Sequence, residues 1–313
     1  MTGVPIRGPH PRGILVTLIA MLLTVVAAGC GSETAVEYGS SDGGDNLVVY
    51  AGKGADRDIL EYAVKNLLGK QIRVTIKDAG DDANAKVAGG DGDLVFYQHA
   101  PAFEADTADR GITDLSIVSR VNVVPYALYS HTWTDLHDTE SWVNTGLVAD
   151  SVTDTSLPHG ARVALPSTAT GFARGLYLLQ SAGLVSLDRP FGGTSAQDLT
   201  ITKANVLDSA RHLDVIGLSL DDFLKSTYES YDAVALNPDQ ASSLGLVPAD
   251  DALAIEPGPD NPYAHVVVAP TRLAGDPRVL ELTHALEDPR LAGYLSRTYR
   301  GANITVAAAG NRG

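Results

Sequence analysis

From Leu47 onward, short apolar runs alternate with stretches whose apolar residues recur every three or four positions. The runs LVVYAG from 47, IRVTIK from 72, DLVFYQ from 93, ARVALP from 161, LDVIGL from 213 and YDAVALN from 231 predict strands. Between them, Asp56 to Leu68, Thr170 to Ala182 and Ser219 to Thr227 carry helical spacing. Alternation of this kind predicts an α/β fold with a largely parallel sheet covered by helices. Two stretches break the rhythm. Leu115 to Ser130 is a long extended run interrupted by Pro125, and Tyr263 to Thr271 follows the turn-rich EPGPDNP. Read as strands passing between lobes, they divide the chain into one lobe of residues 46–124 and 268–313 and a second of 125–267. Pro277 to Glu287 and Pro289 to Tyr299 then close the first lobe as two helices.

The N-terminal segment has a different character. Ile14 to Ala28 is apolar, follows Arg7 and Arg12, and is too short for an ordinary membrane span, which is the layout of an export signal over residues 1–29. It ends in Val26-Ala27-Ala28-Gly29-Cys30, small residues leading into the only cysteine of the chain. The stretch resembles the lipobox of bacterial lipoproteins, which implies an acylated Cys30 and a lipid anchor on the extracytoplasmic face of the cell membrane. A cleaved secretory peptide with a spare thiol is the plainer alternative. Residues 30–45 include ETAVEYGSSDGGD, which has no apolar period and reads as a flexible tether.

Composition narrows the partners. With 44% apolar residues over 313 positions the chain can bury a sizeable core. Its net charge is -15, and without Arg7 and Arg12 the 23 basic residues fall to 21 against 38 acidic ones, so nucleic acid is excluded as a partner. There is no Gly-rich phosphate loop, no paired-histidine zinc spacing and no G-x-S-x-G elbow, so neither cofactor nor metal is expected.

In open α/β sheets, ligands sit beyond the carboxyl ends of the strands, which singles out His99, the turn from Pro166 to Arg174, and Asn237. Strand periodicity places Val95, Tyr97 and His99 on one face of DLVFYQH, so Tyr97 and His99 would share the mouth of a cleft. The blander role for His99 is to cap or pack the following helix. Arg174 lies about 200° round from Phe172 at about 100° per residue, off the buried stripe. With the hydroxyls of Ser167, Thr168 and Thr170 and the helix N-terminal amides, it forms a candidate carboxylate clamp. Helix capping beside a solvated arginine is the alternative. Asn237, followed by Pro238, has the form of an N-cap and can also face a ligand's amino group.

These same residues carry a resemblance to the methionine-binding lipoproteins of ABC importers, the NlpA lipoprotein family. The matching stretches are Tyr97-Gln98-His99-Ala100-Pro101 with Asp109-Arg110-Gly111 downstream, VALPSTATGFARGLYLLQSAGLVSLD at 163–188, VALNPDQASSLGLVP at 234–248 and DNPYAHVVVAPTR at 260–272. They occur in order and span nearly all of the chain beyond the leader. The resemblance implies a two-lobed, periplasmic-binding-protein-like (type II) fold with two hinge crossings. It implies a monomeric receptor that closes on an amino acid and hands it to a permease. Arg174 would bind the ligand carboxylate, Asn237 its polar backbone, and Tyr97 and His99 its side chain. The chain departs from the family where Gly80 stands near an expected tyrosine, where Ala102 follows His99-Ala100-Pro101 in place of a frequent tyrosine, and where Ser167 and Gly171 replace asparagines. An aromatic cage for a thioether is therefore incomplete. Two alternatives remain: a receptor for another small organic anion such as a sulfonate, or an extracytoplasmic enzyme with His99 as general base. The enzyme would need an acid partner, and none sits at the three strand ends.

Overall fold

The computed structural model describes residues 36–38, 46–70, 72–136, 156–219 and 224–306. The export signal, Cys30 and the tether apart from residues 36–38 lie outside the described residues. No described helix is long and apolar enough to cross a membrane.

Following the chain, β1 (Val36–Tyr38) pairs antiparallel with the edge of the first sheet, so part of the stretch read as tether is strand. Then come β2 (Asn46–Ala51), α1 (Ala55–Asn66), β3 (Arg73–Asp78), α2 (Ala83–Ala88), β4 (Leu94–His99), α3 (Ala100–Arg110) and β5 (Leu115–Val123). The chain breaks at Pro125 and enters a second sheet as β6 (Ala127–Tyr129), continuing through β7 (Arg162–Pro166), α4 (Ala169–Ser181), the hairpin of β8 (Val185–Leu187) and β9 (Val206–Ser209), and β10 (Asp214–Leu218). It goes on through α5 (Leu224–Ser230), β11 (Ala233–Leu236), α6 (Pro238–Ser243), α7 (Pro248–Asp251) and β12 (Ala254–Ile255). It then returns as β13 (His265–Pro270), α8 (Pro277–Leu286), α9 (Pro289–Tyr299) and β14 (Ile304–Thr305). The third expected helix begins later than its spacing suggested, at Leu224, and residues 220–223 lie outside the described residues.

The first sheet has the order β1-β3-β2-β4-β13-β5-β14 and the second β10-β7-β11-β6-β12. Each holds three parallel strands, extended by antiparallel partners on the side where the chain passes between lobes. The sheets are thus mixed, because a strand arriving from the other lobe enters without a crossover helix and runs against its neighbours. β13 starts at His265 and pairs with β4 and β5, so residues 265–267 belong to the first sheet, not to the second lobe as the turn-rich segment suggested.

Strand alternation builds the cores. In β7, Val163 and Leu165 join Leu176 and Leu179 of α4 on one face, while Ala164 joins Val234, Leu236 and Tyr129 on the other. In the first lobe, α1 lays Ile59, Leu60 and Ala63 against Val49, Val74 and the helices α8 and α9, and α2 and α3 cover the opposite face. The arrangement aims both sheets at the crossings. Ala127 of β6 pairs with Leu236 at the carboxyl end of β11, and His265 at the start of β13 pairs with His99 at the carboxyl end of β4. The strand ends of both lobes therefore meet where the chain passes between them.

Candidate functional site

The two crossings are zipped together by backbone and by one acid. Glu256 N–H donates to Tyr126 O at 2.9 Å, and Tyr126 N–H donates to Glu256 Oε2 at 3.0 Å. Onto this zipper comes Arg174 from α4. Its Nε donates to Glu256 Oε1 at 3.1 Å, and its Nη2 donates to Glu256 Oε2 at 2.5 Å and to Val124 O at 2.9 Å. The guanidinium lies between two rings, its Cζ 4.6 Å from the centroid of Tyr126 and 4.7 Å from that of Tyr263. The Glu256 side chain is 0% exposed and that of Arg174 12%. Arg174 is off the core face of its helix, as its angle predicts, yet it is neither solvated nor an open clamp. Nη1 alone lies outside these bonds, so a ligand carboxylate would find one free edge rather than a fork.

His99 ends β4 and N-caps α3: Ala102 N–H donates to its Nδ1 at 3.1 Å, with Pro101 in the first turn. The capping role named as the blander alternative is present. His99 meets Tyr263 edge-on, with ring centroids 5.5 Å apart. Burial, reinforced by His265 and then by Arg174, lowers its pKa to about 4. His99 is thus held as a neutral imidazole near pH 7, its Nδ1 lone pair engaged by the Ala102 amide.

Opposite it, His265 Nδ1 lies 2.9 Å from Asp56 Oδ1, a buried carboxylate in the first turn of α1. Room for that carboxylate comes from Gly52, where a Cβ would fall 2.7 Å from Asp56 Oδ2 and 2.9 Å from Tyr97 Cβ. Acidic groups do therefore reach this region, Asp56 from a helix start and Glu256 from a crossing. Neither belongs to the three strand ends singled out from the sequence, Glu256 following β12 instead, and each is paired to a residue other than His99.

The alternation that put Tyr97 beside His99 does not run through. Val266 pairs with Gln98 and Val267 with Phe96, leaving Tyr97 unopposed at an irregularity of the ladder. The Tyr97 hydroxyl has its pKa raised by burial and then by Asp106, Asp81 and Asp82, with Arg110 opposing, all on the α2 and α3 side. Gln98 is structural: its Nε2 donates to Asn84 Oδ1 at 2.8 Å, and Asn84 Nδ2 donates to Asp106 Oδ2 at 2.8 Å. In the second lobe, Thr168 caps α4 by accepting from Gly171 N–H at 3.1 Å, and Ser167 is exposed at the end of β7. Asn237 forms a capping box with Gln240, its Oδ1 accepting from Gln240 N–H at 2.9 Å, which leaves its Nδ2 side for other contacts. His99 and Arg174 thus come together on either side of the Tyr263 ring, while Ser167 and Asn237 sit at the ends of β7 and β11 with local partners only. Glu256, Asp56, His265 and the two tyrosines are members that strand-end reasoning missed. Among the described residues, no group of three or more His, Cys, Asp or Glu side chains is placed to hold a metal.

The chain is 24% identical over 295 residues to the methionine-binding lipoprotein MetQ of Bacillus subtilis (strain 168), covering 92% of this chain and 97% of that one. It is 28% identical over 298 residues to the probable D-methionine-binding lipoprotein MetQ of Vibrio cholerae, covering 93% and 96%. Among solved structures it is similar to a periplasmic substrate-binding protein of an ABC transporter from Coxiella burnetii, with 26% identity, a TM-score of 0.52, and coverage of 83% and 99%. The two lobes with two crossings are the architecture of such binding proteins. The NlpA lipoprotein model matches residues 47–307, from the first core strand to just beyond the last, and the chain belongs to the NlpA lipoprotein family.

Proposed function

We propose that this protein is a lipid-anchored extracytoplasmic receptor of an ABC importer, holding a zwitterionic amino acid between its lobes and releasing it unchanged to a permease. Acylation of Cys30 would supply the anchor, and the receptor acts as a monomer. The relatives from Bacillus subtilis and Vibrio cholerae, named as methionine-binding and D-methionine-binding lipoproteins, support an amino acid of that kind.

The observation that carries the reading is the charge balance at the crossings. Arg174 is bound to both crossings and is already matched by Glu256, while Asp56 adds a second carboxylate and His99 stays neutral. A simple anion such as a sulfonate would meet a guanidinium already compensated by Glu256. A zwitterion brings a carboxylate for Nη1 of Arg174 and an ammonium for the acidic surroundings, and adds no net charge to a buried site. Contacts with both lobes favour the closed arrangement, with Val124 to Tyr126 and Glu256 to Ala264 absorbing the motion.

The test is to purify the full-length chain in detergent, denature it and identify released small molecules by mass spectrometry. An intact amino acid is the expected result. Recovery of an anion without an amino group, or of a chemically altered compound, would overturn the reading.

A further inference from the structure

The turn that follows α9 belongs to the first lobe but grips the second. α9 is rooted in the first core by Leu291 and Leu295, and β14 pairs with β5 through Ile304 and Val123. Between them, Arg300 ends the helix in a left-handed conformation at φ 47°, and Gly301 follows at φ 89°. This bend delivers Arg300 to α7. Ala249 N–H donates to Arg300 O at 2.9 Å, and Arg300 Nη2 donates to Asp250 Oδ1 at 2.7 Å and Oδ2 at 2.5 Å. Ala249 lies in the first turn of α7, which has no side-chain cap, so a carbonyl of the other lobe satisfies an amide the helix itself leaves free. Gly301 permits the approach. A Cβ there would lie 3.0 Å from Pro248 Cβ, 3.2 Å from Ala249 N and 3.3 Å from Ile255 Cδ1.

The same turn is fastened to both crossings. Asn122 Nδ2, near the end of β5, donates to the buried Asn303 Oδ1 at 3.0 Å, and Gly258 of the second crossing packs against the Thr305 carbonyl with no room for a side chain. Just beyond, the lobes part around a cavity of about 340 Å³, lined by Arg120, Asp260 and Val306 on one side and by Gly192 and Thr194 on the other. We infer that residues 300–305 form a third, non-covalent connection between the lobes, a brace that fixes the axis of closure and positions Glu256. Its part in closure rests on the receptor reading. Where backbone meets backbone the lobes stay together, and the cavity beside that contact takes up their rotation. α7 and β12 run directly into Glu256, whose carboxylate holds Arg174 and Tyr126, so the brace sets the arginine from the opposite lobe. The Arg300–Asp250 pair is half exposed and contributes little alone; the Ala249 bond and the glycine contact carry the brace.

Amide hydrogen exchange on the full-length chain in detergent, without added ligand, tests the brace. Gly301→Val places a branched side chain in the contact at a φ that disfavours it. Exchange should rise about tenfold in residues 247–256 and, through Glu256, in 123–127, while the core of α4 at 175–181 is unchanged. A rise confined to 299–306 overturns the inference. Should Gly301→Val fail to fold, Arg300→Ala combined with Asp250→Ala decides it: a rise of about twofold in the same two segments supports the brace, and none in 123–127 overturns it. Calorimetry with each of the standard amino acids and with D-methionine then reads closure. The tightest of them should bind the exchange-competent variant at least about threefold more weakly than the unaltered protein. Unchanged affinity overturns the role in closure and leaves the receptor reading standing. Failure of every amino acid to bind the unaltered protein overturns the receptor reading and the role in closure together, while exchange still decides the brace.

Discussion

Arg174 stands out by its angle on α4, but what it touches changes what its replacement would test. Removing it strands Glu256, whose side chain is fully buried, so Arg174→Ala should lower folding stability by about 3–5 kcal/mol as well as impair binding. Replacing both partners, as Arg174→Met with Glu256→Gln, should cost less than Arg174→Ala alone, because no uncompensated charge stays buried. Urea unfolding checks both, and an unchanged midpoint in Arg174→Ala would show that the pair is not structural. His99 makes a second residue-scale prediction, with the opposite chemistry. Its pKa is depressed from 6.5 to about 4, so between those values the unfolded chain binds more protons than the folded one. The stability contributed by the neutral ring is present above pH 6.5 and is lost as pH falls toward 4, by up to about 3 kcal/mol. His99→Asn keeps an N-cap without the titrating ring, so its unfolding free energy should decline less over that window. An identical decline in the two proteins would assign the pH dependence to other groups.

At the level of elements, α4 shows how local spacing and close packing combine. Its extent follows from the apolar stripe and the Thr168 cap, and it is observed within a residue of expectation at each end. Its approach to β7 depends on two glycines. A Cβ at Gly171 would lie 2.6 Å from Pro166 Cβ and 2.7 Å from Thr168 Oγ1, and one at Gly175 would lie 2.8 Å from Leu165 Cδ2. Gly→Ala within a helix ordinarily stabilises by about 0.5–1 kcal/mol. Gly171→Ala should instead destabilise by about 1–3 kcal/mol, because the ring and the cap it strikes cannot yield. Gly293→Ala in α9, whose nearest neighbour is the mobile end of Arg297 at 3.2 Å, should keep the ordinary stabilising sign. Thermal unfolding of the two variants compares them, and shifts of the same sign would contradict the packing argument. β4 is the counterexample to local reading. Its alternation holds through Tyr97, which packs with Val95, and then fails at Gln98, which turns to Asn84 on the same side, because the partner strand β13 arrives from the other lobe with an irregular register that no pattern within DLVFYQH encodes.

For the molecule as a whole, the layered α/β core, two lobes and two passages between them were legible because burial imposes periodicity. Apolar side chains must alternate along a strand and recur every three or four residues along a helix, whatever lies across the interface. The positions of His99 and Asn237 at strand ends, and of Arg174 off the core face of α4, were legible for the same reason, since element ends are marked by their caps and prolines and helix faces by their spacing. The pairing of those residues was not. Glu256 lies 82 residues from Arg174, and Asp56 lies 209 residues from His265, so neither pair leaves a local signature. Which buried charge meets which partner depends on how the crossings bring the two sheets edge to edge. That geometry turned an expected open clamp into a matched ion pair. Periodicity along the chain determined the elements and their faces. Only the tertiary structure decided the electrostatics between lobes, because charge compensation in a buried site is a property of distance in space.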